Sequence, residues 1–248
     1  MSRVLVIKTG STLPGIRERR GDFEAWILRG MGLAPEQIEI VDVAAGAALP
    51  AATSPAGVVV TGSSAMVSER LAWSERTGAW LADAVRAGTP VLGICYGHQL
   101  LAHGLGGRVG RNPRGREIGT VRVHVAAAAR QDPLLGALPA TAYAHTTHVE
   151  SVLELPPGAR HLAASEIDPN QAFAFGARAW GVQFHPEFDA DVMRGYLEGR
   201  REVLREEGLD PEALLAAVRE APEAASLLRR FAALLGGEGE PDEELDEG

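Results

Sequence analysis

The only cysteine of the chain, Cys95, stands between two glycines in the stretch GICYGHQ. An apolar run precedes it, and a helix-like pattern that ends in glycine follows it. A sharp turn from a strand into a helix requires glycines on both sides of its central residue, because larger side chains there would meet the neighbouring backbone. Gly93 and Gly97 therefore predict a nucleophile elbow that presents Cys95 at a helix N-terminus, where the helix dipole favours the thiolate. The alternative is a buried cysteine in an ordinary strand-to-helix turn.

A histidine and a glutamate lie two residues apart in the stretch GVQFHPEF, at the end of an apolar, strand-like run. Pro186 between them ends the hydrogen bonding of that strand. A cysteine nucleophile requires a base within hydrogen-bond reach and a third group that orients the base. The residue types and spacing predict that His185 is the base and Glu187 the carboxylate that orients it. Taken alone, the pair would also fit a solvated strand end.

The elements that must position these residues alternate between strand and helix over the first 107 residues. Four runs are typical of buried parallel strands: RVLVIKTG, QIEIVDVAAG, AGVVVTGSS and TPVLGI. Helices are predicted over residues 21–31, 68–87 and 96–107. This alternation predicts an α/β fold with a doubly wound, mostly parallel central sheet. Ligands bind such sheets at the carboxyl ends of the strands, which is where Cys95 is expected.

Beyond residue 107 the pattern changes to short strands in close succession, which predict an antiparallel extension of the sheet. From Asp189 onward the pattern is that of helices. We therefore expect an α/β domain over residues 1–198, a C-terminal helical extension over residues 199–236, and a disordered acidic tail over residues 237–248. The apolar residues of the extension fall along one stripe: Leu214, Leu215, Val218, Leu227, Leu228, Phe231 and Leu235. We expect this stripe to pack onto the domain; a docking surface for a synthetase or for a second copy of the chain is the alternative.

The composition excludes several classes of protein. A net charge of −9 argues against nucleic-acid binding, which requires a basic face. A single cysteine excludes an intrachain disulfide framework and a multi-cysteine zinc site. His145 and His148 have a spacing compatible with metal ligation, but no third ligand of the right kind lies near them in the sequence. The lack of a signal-peptide pattern and of an apolar run of about 18 residues predicts a soluble, cytoplasmic protein without a membrane partner.

Taken together, GICYGHQ and the stretch HPE, whose histidine follows the cysteine by 90 residues, resemble the motifs of the class I (triad) glutamine amidotransferases. The resemblance covers about residues 3–197 and is strongest to the stand-alone members similar to the glutaminase part of GMP synthase. It implies the flavodoxin-like α/β fold of that family, with C-terminal helices added. It also implies hydrolysis of the side-chain amide of L-glutamine to glutamate and ammonia through a thioester on Cys95, with His185 and Glu187 completing the triad. No cofactor or metal is expected.

The same resemblance implies roles for residues outside the triad. Backbone N–H groups of Gly62 and Tyr96 would form the oxyanion hole, which holds the negative charge of the tetrahedral intermediate. Gln99, one helical turn after the cysteine, matches the position that contacts glutamine. The stretch AHTTHVES resembles the substrate loop of the family and makes His145 a candidate substrate-binding residue. In TGSSAMV, two serines replace the second glycine and the proline that are usual in the oxyanion loop.

Several interpretations of the function stay open at this point. Ammonia could pass to a separate synthetase subunit, since the segment after residue 198 lacks the glycine-rich phosphate loop of an ATP-using domain. The same triad would serve a stand-alone γ-glutamyl hydrolase or peptidase, and a non-catalytic regulatory or scaffolding relative could retain it by descent. An α/β-hydrolase resembling dienelactone hydrolase is disfavoured, because its acid precedes the histidine whereas Glu187 follows His185. Whether the chain forms a homo-oligomer is left open.

Overall fold

The computed structural model describes residues 2–236, in which helices are interspersed with strands up to residue 104, strands follow up to residue 182, and helices complete the chain. The strands are β1 (Val4–Lys8), β2 (Ile38–Asp42), β3 (Gly57–Val60), β4 (Val91–Ile94), β5 (Arg108–Arg111), β6 (Glu117–Val125), β7 (Thr141–His148), β8 (Glu150–Glu154), β9 (Arg160–Ala164), β10 (Ala172–Phe175) and β11 (Ala179–Val182). The α-helices are α1 (Pro14–Arg20), α2 (Phe23–Met31), α3 (Ala72–Arg86), α4 (Tyr96–Gly104), α5 (Ala190–Gly199), α6 (Arg201–Glu206), α7 (Pro211–Ala217) and α8 (Pro222–Leu235).

Within the described residues, nine strands form one sheet in the order β2-β1-β3-β4-β11-β10-β9-β6-β7. The first five strands of this order run parallel to one another. The other four continue the sheet in antiparallel pairings. β5 and β8 form a separate antiparallel pair. The predicted fold, a mostly parallel central sheet with an antiparallel extension and C-terminal helices, is confirmed.

Helices cover both faces of the parallel part of the sheet, which explains why its strands are apolar on both sides. All four residues of β3, for example, are buried. On one face, a hydrophobic cluster joins the sheet to α2, α5 and α8 and includes Trp26, Ile27 and Leu227. On the other face, a second cluster joins it to α3 and α4 and includes Leu81 and Leu100. The two clusters fix the sheet between its helix layers.

The position of β11 decides where the functional residues meet. Although it follows the antiparallel strands in the chain, β11 inserts beside β4 and runs parallel to it, with Gly181 opposite Gly93 and Val182 opposite Ile94. The insertion requires a glycine, because a Cβ at Gly181 would lie 2.6 Å from Nδ1 of His98. The carboxyl ends of β4 and β11 therefore lie side by side.

Some local features differ from the sequence prediction. The sequence does not predict α1, a short helix rich in charged residues that buries only Ile16. The helix expected from residue 68 begins at Ala72, because Val67–Glu69 form a single 3-10 turn that ends in the left-handed residue Arg70. The first C-terminal helix is divided into α5 and α6 at Arg200. These boundaries depend on local backbone conformations that apolar periodicity does not report.

The C-terminal helices pack against the rest of the chain. α8 lies mainly against α2 and β7, and it buries Leu227, Leu228 and Phe231 completely. The apolar stripe therefore packs onto the preceding residues, as expected from the sequence. The predicted disorder of residues 237–248 concerns a segment outside the described residues. No helix within residues 2–236 has both the length and the apolar character needed to cross a membrane.

Candidate active site

Cys95 lies between β4 and α4, in a backbone conformation with φ 51° and ψ −102°. Positive φ at a non-glycine residue costs about 1–3 kcal/mol and persists only where the surroundings impose it. A Cβ at Gly93 would lie 2.4 Å from the carbonyl oxygen of Gly97, and a Cβ at Gly97 would lie 2.5 Å from the carbonyl oxygen of Val60. The two glycines thus let β3, β4 and α4 approach closely enough to form the strained turn.

His185 reaches the same edge of the sheet from the neighbouring strand. β11 ends at Val182, whose carbonyl oxygen accepts a hydrogen bond of 2.9 Å from the N–H of Cys95. The backbone N–H of His185 donates to the carbonyl oxygen of His145 at 2.8 Å, and its ring stacks on Phe188 with the ring centroids 4.0 Å apart. These contacts hold the imidazole beside the elbow, although the two residues are 90 positions apart in the chain.

Cys95, His185 and Glu187 form a row of side chains at this edge of the sheet, in which Glu187 is the third. Its Oε1 lies 2.7 Å from Nδ1 of His185, and both side chains are buried. Nε2 of His185 has no hydrogen-bond partner within residues 2–236. Because Nδ1–H donates to the carboxylate, Nε2 is the nitrogen that is left to exchange a proton with the thiol or with a bound substrate.

The charges of the site shift two pKa values in opposite directions. Burial alone would lower the pKa of His185, but the negative charges of Glu187 and of the Cys95 thiolate outweigh it and raise this pKa to about 10. Burial alone would raise the pKa of the Cys95 thiol, but the positive charge of His185 outweighs it and holds this pKa below its usual value. Both shifts favour the same state, a thiolate beside an imidazolium.

Two adjoining cavities reach Cys95. The first, of about 40 Å³, is also lined by His185, and the second, of about 130 Å³, is also lined by Gln99. The residues that line both, in addition to the cysteine, are Ser63, Ser64, Thr147 and Arg200. This shared lining makes the two cavities one concave site at the carboxyl edge of the sheet, where open α/β sheets bind ligands.

The residues expected to form an oxyanion hole lie next to this row. A Cβ at Gly62 would lie 3.1 Å from Cε1 of His185, so that Gly62 is against the imidazole. Tyr96 is the first residue of α4, where backbone N–H groups have no acceptor within the helix. Its hydroxyl is anchored elsewhere, in a hydrogen bond of 2.6 Å with Oγ of Ser74. The backbone of both residues is therefore close to the reacting groups.

Gln99 lies on the wall of the second cavity, one turn into α4. Its Nε2 donates to the carbonyl oxygen of Glu150 at 2.7 Å and to Oε1 of Gln183 at 2.9 Å. Both hydrogens of the amide are thus used within the protein. The side-chain oxygen of Gln99 is the atom that is left to accept a hydrogen bond from a ligand.

His145 lies behind His185 and lines neither cavity. Its Nδ1 is 3.2 Å from the hydroxyl of Thr120, and burial, followed by the charge of His185, lowers its pKa to about 4. In the same stretch, AHTTHVES, the residues that line the second cavity are Thr147, the second histidine His148, Val149 and Glu150. The stretch therefore contributes to the cavity wall, and the pairing of β7 decides which of its residues face the cavity.

His148 also belongs to a second, buried histidine–carboxylate pair. Nε2 of His148 is 3.0 Å from Oε2 of Glu117, and Nδ1 is 2.9 Å from the carbonyl oxygen of Glu150. A carbonyl oxygen and an ionised carboxylate can only accept hydrogen bonds, so this geometry favours hydrogen on both ring nitrogens of His148, which is the imidazolium. Burial would lower the pKa of His148, but Glu117 outweighs it and raises it. Glu117 also accepts hydrogen bonds from Ser165 and Gln171, so the pair is part of a buried polar network.

Sequence reasoning misses several residues of the site. Thr147 lies in a segment that the motifs indicate, but nothing in its type or spacing distinguishes it from its neighbours, and Ser63, one of the two serines in TGSSAMV, has no role that the sequence assigns. Arg200 lies in the predicted helical extension, without any motif around it. Its approach to Cys95 depends on how α5 packs against the sheet. Phe188, which stacks on His185, follows the HPE motif directly and is the one addition that the sequence could have indicated.

The fold and the site together define a class of protein: an open α/β sheet with a cysteine at a nucleophile elbow and a histidine–glutamate pair at the end of the adjacent parallel strand. Among residues 2–236, no group of three histidine, cysteine, aspartate or glutamate side chains is arranged to hold a metal ion.

Comparisons with known proteins identify the family. Residues 20–198 match the family described as Glutamine amidotransferase class-I. The chain is 37% identical over 185 residues to "GMP synthase [glutamine-hydrolyzing]" of Aeropyrum pernix, a match over 74% of this chain and 32% of that protein. It is 37% identical over 115 residues to a subunit of the glutamine-hydrolyzing GMP synthase of Thermococcus kodakarensis, over 44% of this chain and 59% of that one. A crystal structure of a glutamine amidotransferase from Thermotoga maritima has the same fold, with a TM-score of 0.74 at 24% identity over 94% of this chain and 97% of that one.

The chain therefore belongs to the class I glutamine amidotransferase family. The family that the two sequence motifs resemble is thus confirmed. The chain matches about a third of the length of the Aeropyrum pernix protein.

Proposed function

We propose that this protein hydrolyses the side-chain amide of L-glutamine to glutamate and ammonia. Cys95 is the nucleophile, His185 the general acid and base, and Glu187 the group that orients His185. The observation that carries the proposal is the row of these three side chains at the carboxyl edge of the sheet, in a chain of the class I glutamine amidotransferase family. The opposite pKa shifts of Cys95 and His185 support it, because they favour the thiolate that must attack.

In the first half of the reaction, the thiolate of Cys95 attacks the side-chain carbonyl carbon of glutamine. A carbon–sulfur bond forms, and the carbonyl oxygen becomes an oxyanion. As the tetrahedral intermediate collapses, Nε2–H of His185 donates its proton to the amide nitrogen, which leaves as ammonia. A glutamyl thioester and a neutral imidazole remain. Glu187 keeps the imidazole in the tautomer and orientation that this transfer requires.

In the second half, the neutral imidazole of His185 accepts a proton from water as its oxygen attacks the thioester carbonyl. The carbon–sulfur bond breaks, glutamate leaves, and the thiolate of Cys95 and the imidazolium are restored. Backbone N–H groups of Gly62 and Tyr96 would hold the oxyanion in both halves. Loss of one such donor typically lowers the rate by about 10²–10³.

The acceptor of the ammonia is proposed to be a separate synthetase subunit. Relatives of this chain are GMP synthases, and the chain matches only about a third of the Aeropyrum pernix protein. The Thermococcus kodakarensis relative is itself named as one subunit of GMP synthase, and the match covers 59% of its length. The cytoplasmic location that the sequence indicates stays a prediction.

Release of glutamate from L-glutamine by the purified protein, compared with Cys95→Ala, tests the activity. Turnover that Cys95→Ala abolishes, together with a γ-glutamyl hydroxamate formed when hydroxylamine replaces water, is the expected result. Turnover that persists in Cys95→Ala would contradict the proposal. Cleavage of γ-glutamyl peptides without cleavage of glutamine would replace it with the γ-glutamyl hydrolase alternative.

A chain that requires a partner would show little turnover by itself. Covalent labelling by 6-diazo-5-oxo-L-norleucine, a glutamine analogue that alkylates a reactive cysteine, separates this case from a non-catalytic relative. A mass increase on Cys95 that is absent in His185→Gln would support a glutaminase awaiting its synthetase. An unlabelled wild-type protein without turnover would indicate a regulatory or scaffolding relative.

A further inference from the structure

Arg200 lies at the junction of α5 and α6 and lines both cavities beside Cys95. Among the described residues that line both, it alone carries a positive charge. The neutral residues around it on this wall are two serines and Thr147. The helical extension thus supplies a cation to a site whose reacting residues come from the sheet edge.

Arg200 differs from the arginines near it, because no carboxylate within residues 2–236 lies at ion-pair distance from it. Arg116, which lines only the second cavity, forms two hydrogen bonds with Glu207, at 2.7 and 2.9 Å. Arg201, the next residue in the chain, pairs with Glu212 at 3.0 Å. Nε of Arg200 is buried and has no hydrogen-bond partner among the described residues. Its donors are therefore available to a ligand.

The surroundings of Arg200 favour the binding of an anion. The side chain is half-buried, and burial, followed by the positive charge of Arg116, lowers its pKa. A guanidinium nevertheless stays protonated, so the charge is held in a poorly solvated place. The ring of Tyr196, centred 5.8 Å from the guanidinium carbon, limits where the group can move. A bound anion would supply the missing partner.

We infer that Arg200 binds the carboxylate of the substrate, namely the α-carboxylate of glutamine or of the γ-glutamyl unit that reacts with Cys95. The inference rests on the proposed function. Four carbon–carbon bonds, about 5 Å when extended, separate the α-carboxylate from the reacting carbonyl carbon. A cavity with Cys95 and Arg200 on one wall can therefore hold both ends of the molecule. The planar guanidinium matches a carboxylate in a bidentate pair.

A negative charge, which the α-ammonium group of an amino acid requires, lies on the wall of the same cavity. Glu150 is buried and lines the second cavity, and its Oε2 accepts a hydrogen bond of 3.3 Å from the backbone of Ser68. Gln99 lines the same cavity and has a side-chain oxygen that can accept a hydrogen bond. An ammonium group could bind these oxygens while its neighbouring carboxylate binds Arg200. The charge distribution of the walls thus matches a zwitterionic α-amino acid.

Substrate analogues that lack one charged group test this inference. 4-Aminobutanamide is glutamine without its carboxylate, and glutaramate is glutamine without its amino group. In Arg200→Met we expect kcat/KM for glutamine and for glutaramate to fall about 10- to 150-fold, mainly through KM, since a charged hydrogen bond is lost. The same variant should hydrolyse 4-aminobutanamide as the wild type does. Arg200→Lys should keep part of the affinity, and Arg201→Met serves as the control.

An equal loss for all three substrates in Arg200→Met would overturn the inference, because it would indicate a structural effect. So would unchanged kinetics. γ-Glutamylglycine carries a second carboxylate on its leaving group. It therefore distinguishes binding of that carboxylate from binding of the α-carboxylate. If Arg200→Met impairs only this substrate and spares glutamine, the residue binds the leaving group and the assignment to the α-carboxylate is wrong.

A binding measurement keeps this test independent of the proposed function. Calorimetric titration of L-glutamate into Cys95→Ala, and into Cys95→Ala combined with Arg200→Met, requires no turnover. Affinity that depends on Arg200 would support the carboxylate site, whether or not the wild-type protein turns over glutamine. Glutamate affinity that is the same in both variants, or absent in both, would overturn the carboxylate site.

Discussion

At the residue scale, Cys95 is subject to two opposing influences. Burial favours the neutral thiol, and the charge of His185 favours the thiolate. The balance between thiol and thiolate depends on Glu187, whose contact of 2.7 Å with the imidazole of His185 favours its protonated form. Reactivity is therefore a property of the whole row of side chains and not of the cysteine alone.

The pH dependence of alkylation measures this balance. We expect the rate at which iodoacetamide modifies Cys95 to reach half its maximum below about pH 8.5, the usual thiol value, because the charge of His185 lowers the pKa. In His185→Gln the midpoint should move above that value, since only the effect of burial remains. A wild-type midpoint at or above the usual value would contradict the thiolate–imidazolium pair.

The buried pair of Glu117 and His148 leads to a prediction about stability. Glu117→Gln leaves a buried imidazolium without its carboxylate, which costs about 3–5 kcal/mol of unfolding free energy. Because the folded state raises the pKa of His148, the contribution of the pair is complete below about pH 6.5 and is lost as the pH rises through the raised value. Urea unfolding at several pH values should therefore show that the unfolding free energies of the wild type and of Glu117→Gln become more similar as the pH rises.

Glu154→Gln is the matched control for this prediction. Glu154 also pairs with a cation, Arg108, but at an exposed position. We expect its substitution to leave the urea midpoint almost unchanged at every pH. The charged state assigned to His148 would be contradicted if Glu117→Gln and Glu154→Gln lowered the unfolding free energy equally. It would also be contradicted if the loss caused by Glu117→Gln grew as the pH rises.

At the scale of elements, the close contact of β3, β4 and α4 creates the strained turn at Cys95. In Gly97→Ala the new Cβ would lie 2.5 Å from a backbone carbonyl oxygen of β3, a group that cannot rotate away. We expect a loss of unfolding free energy of about 1–3 kcal/mol or more, together with loss of Cys95 alkylation. Thermal unfolding and iodoacetamide labelling measure the two effects.

Gly15→Ala is the control for the same chemical change. A Cβ at Gly15 meets nothing within 4 Å, and the residue lies inside α1. Alanine there should be neutral or stabilise the protein by about 0.5–1 kcal/mol. If Gly97→Ala behaved like Gly15→Ala, the elbow would not depend on the glycine.

At the scale of the whole molecule, the C-terminal helices belong to the main hydrophobic core. Leu228 is fully buried in the cluster that contains α2 and the sheet, and a Cβ at Gly30 of α2 would lie 2.4 Å from its Cδ1. Since α5, which ends next to Arg200, belongs to the same cluster, the packing of these helices also sets the position of Arg200.

Truncation of this leucine tests that packing. We expect Leu228→Ala to lower the unfolding free energy by about 2–5 kcal/mol, because it leaves a cavity between α8 and α2. Leu71→Ala, at a leucine that is 37% exposed, should change it by less than about 0.5 kcal/mol. Similar urea midpoints for the two variants would indicate that α8 is not an integral part of the core.

The features that could be predicted are those with local causes. Buried parallel strands show as apolar runs such as β1 and β3, and the turn at Cys95 shows in its two glycines. Asp189 caps α5 as its position before a helical pattern indicates, since its side chain accepts a hydrogen bond from Val192 N–H. The HPE motif indicates the contact of His185 with Glu187, because only two residues separate them.

By itself, then, the amino-acid sequence determined the strands, the elbow and the histidine–glutamate pair, because φ preferences, apolar periodicity and short spacing act over a few residues. Only the tertiary structure decided that β11 inserts beside β4, that His148 and not His145 reaches the cavity, and that Arg200 lies next to Cys95. Strand order and helix packing join residues that are far apart in the chain. Their energies depend on complementary surfaces that no local pattern encodes.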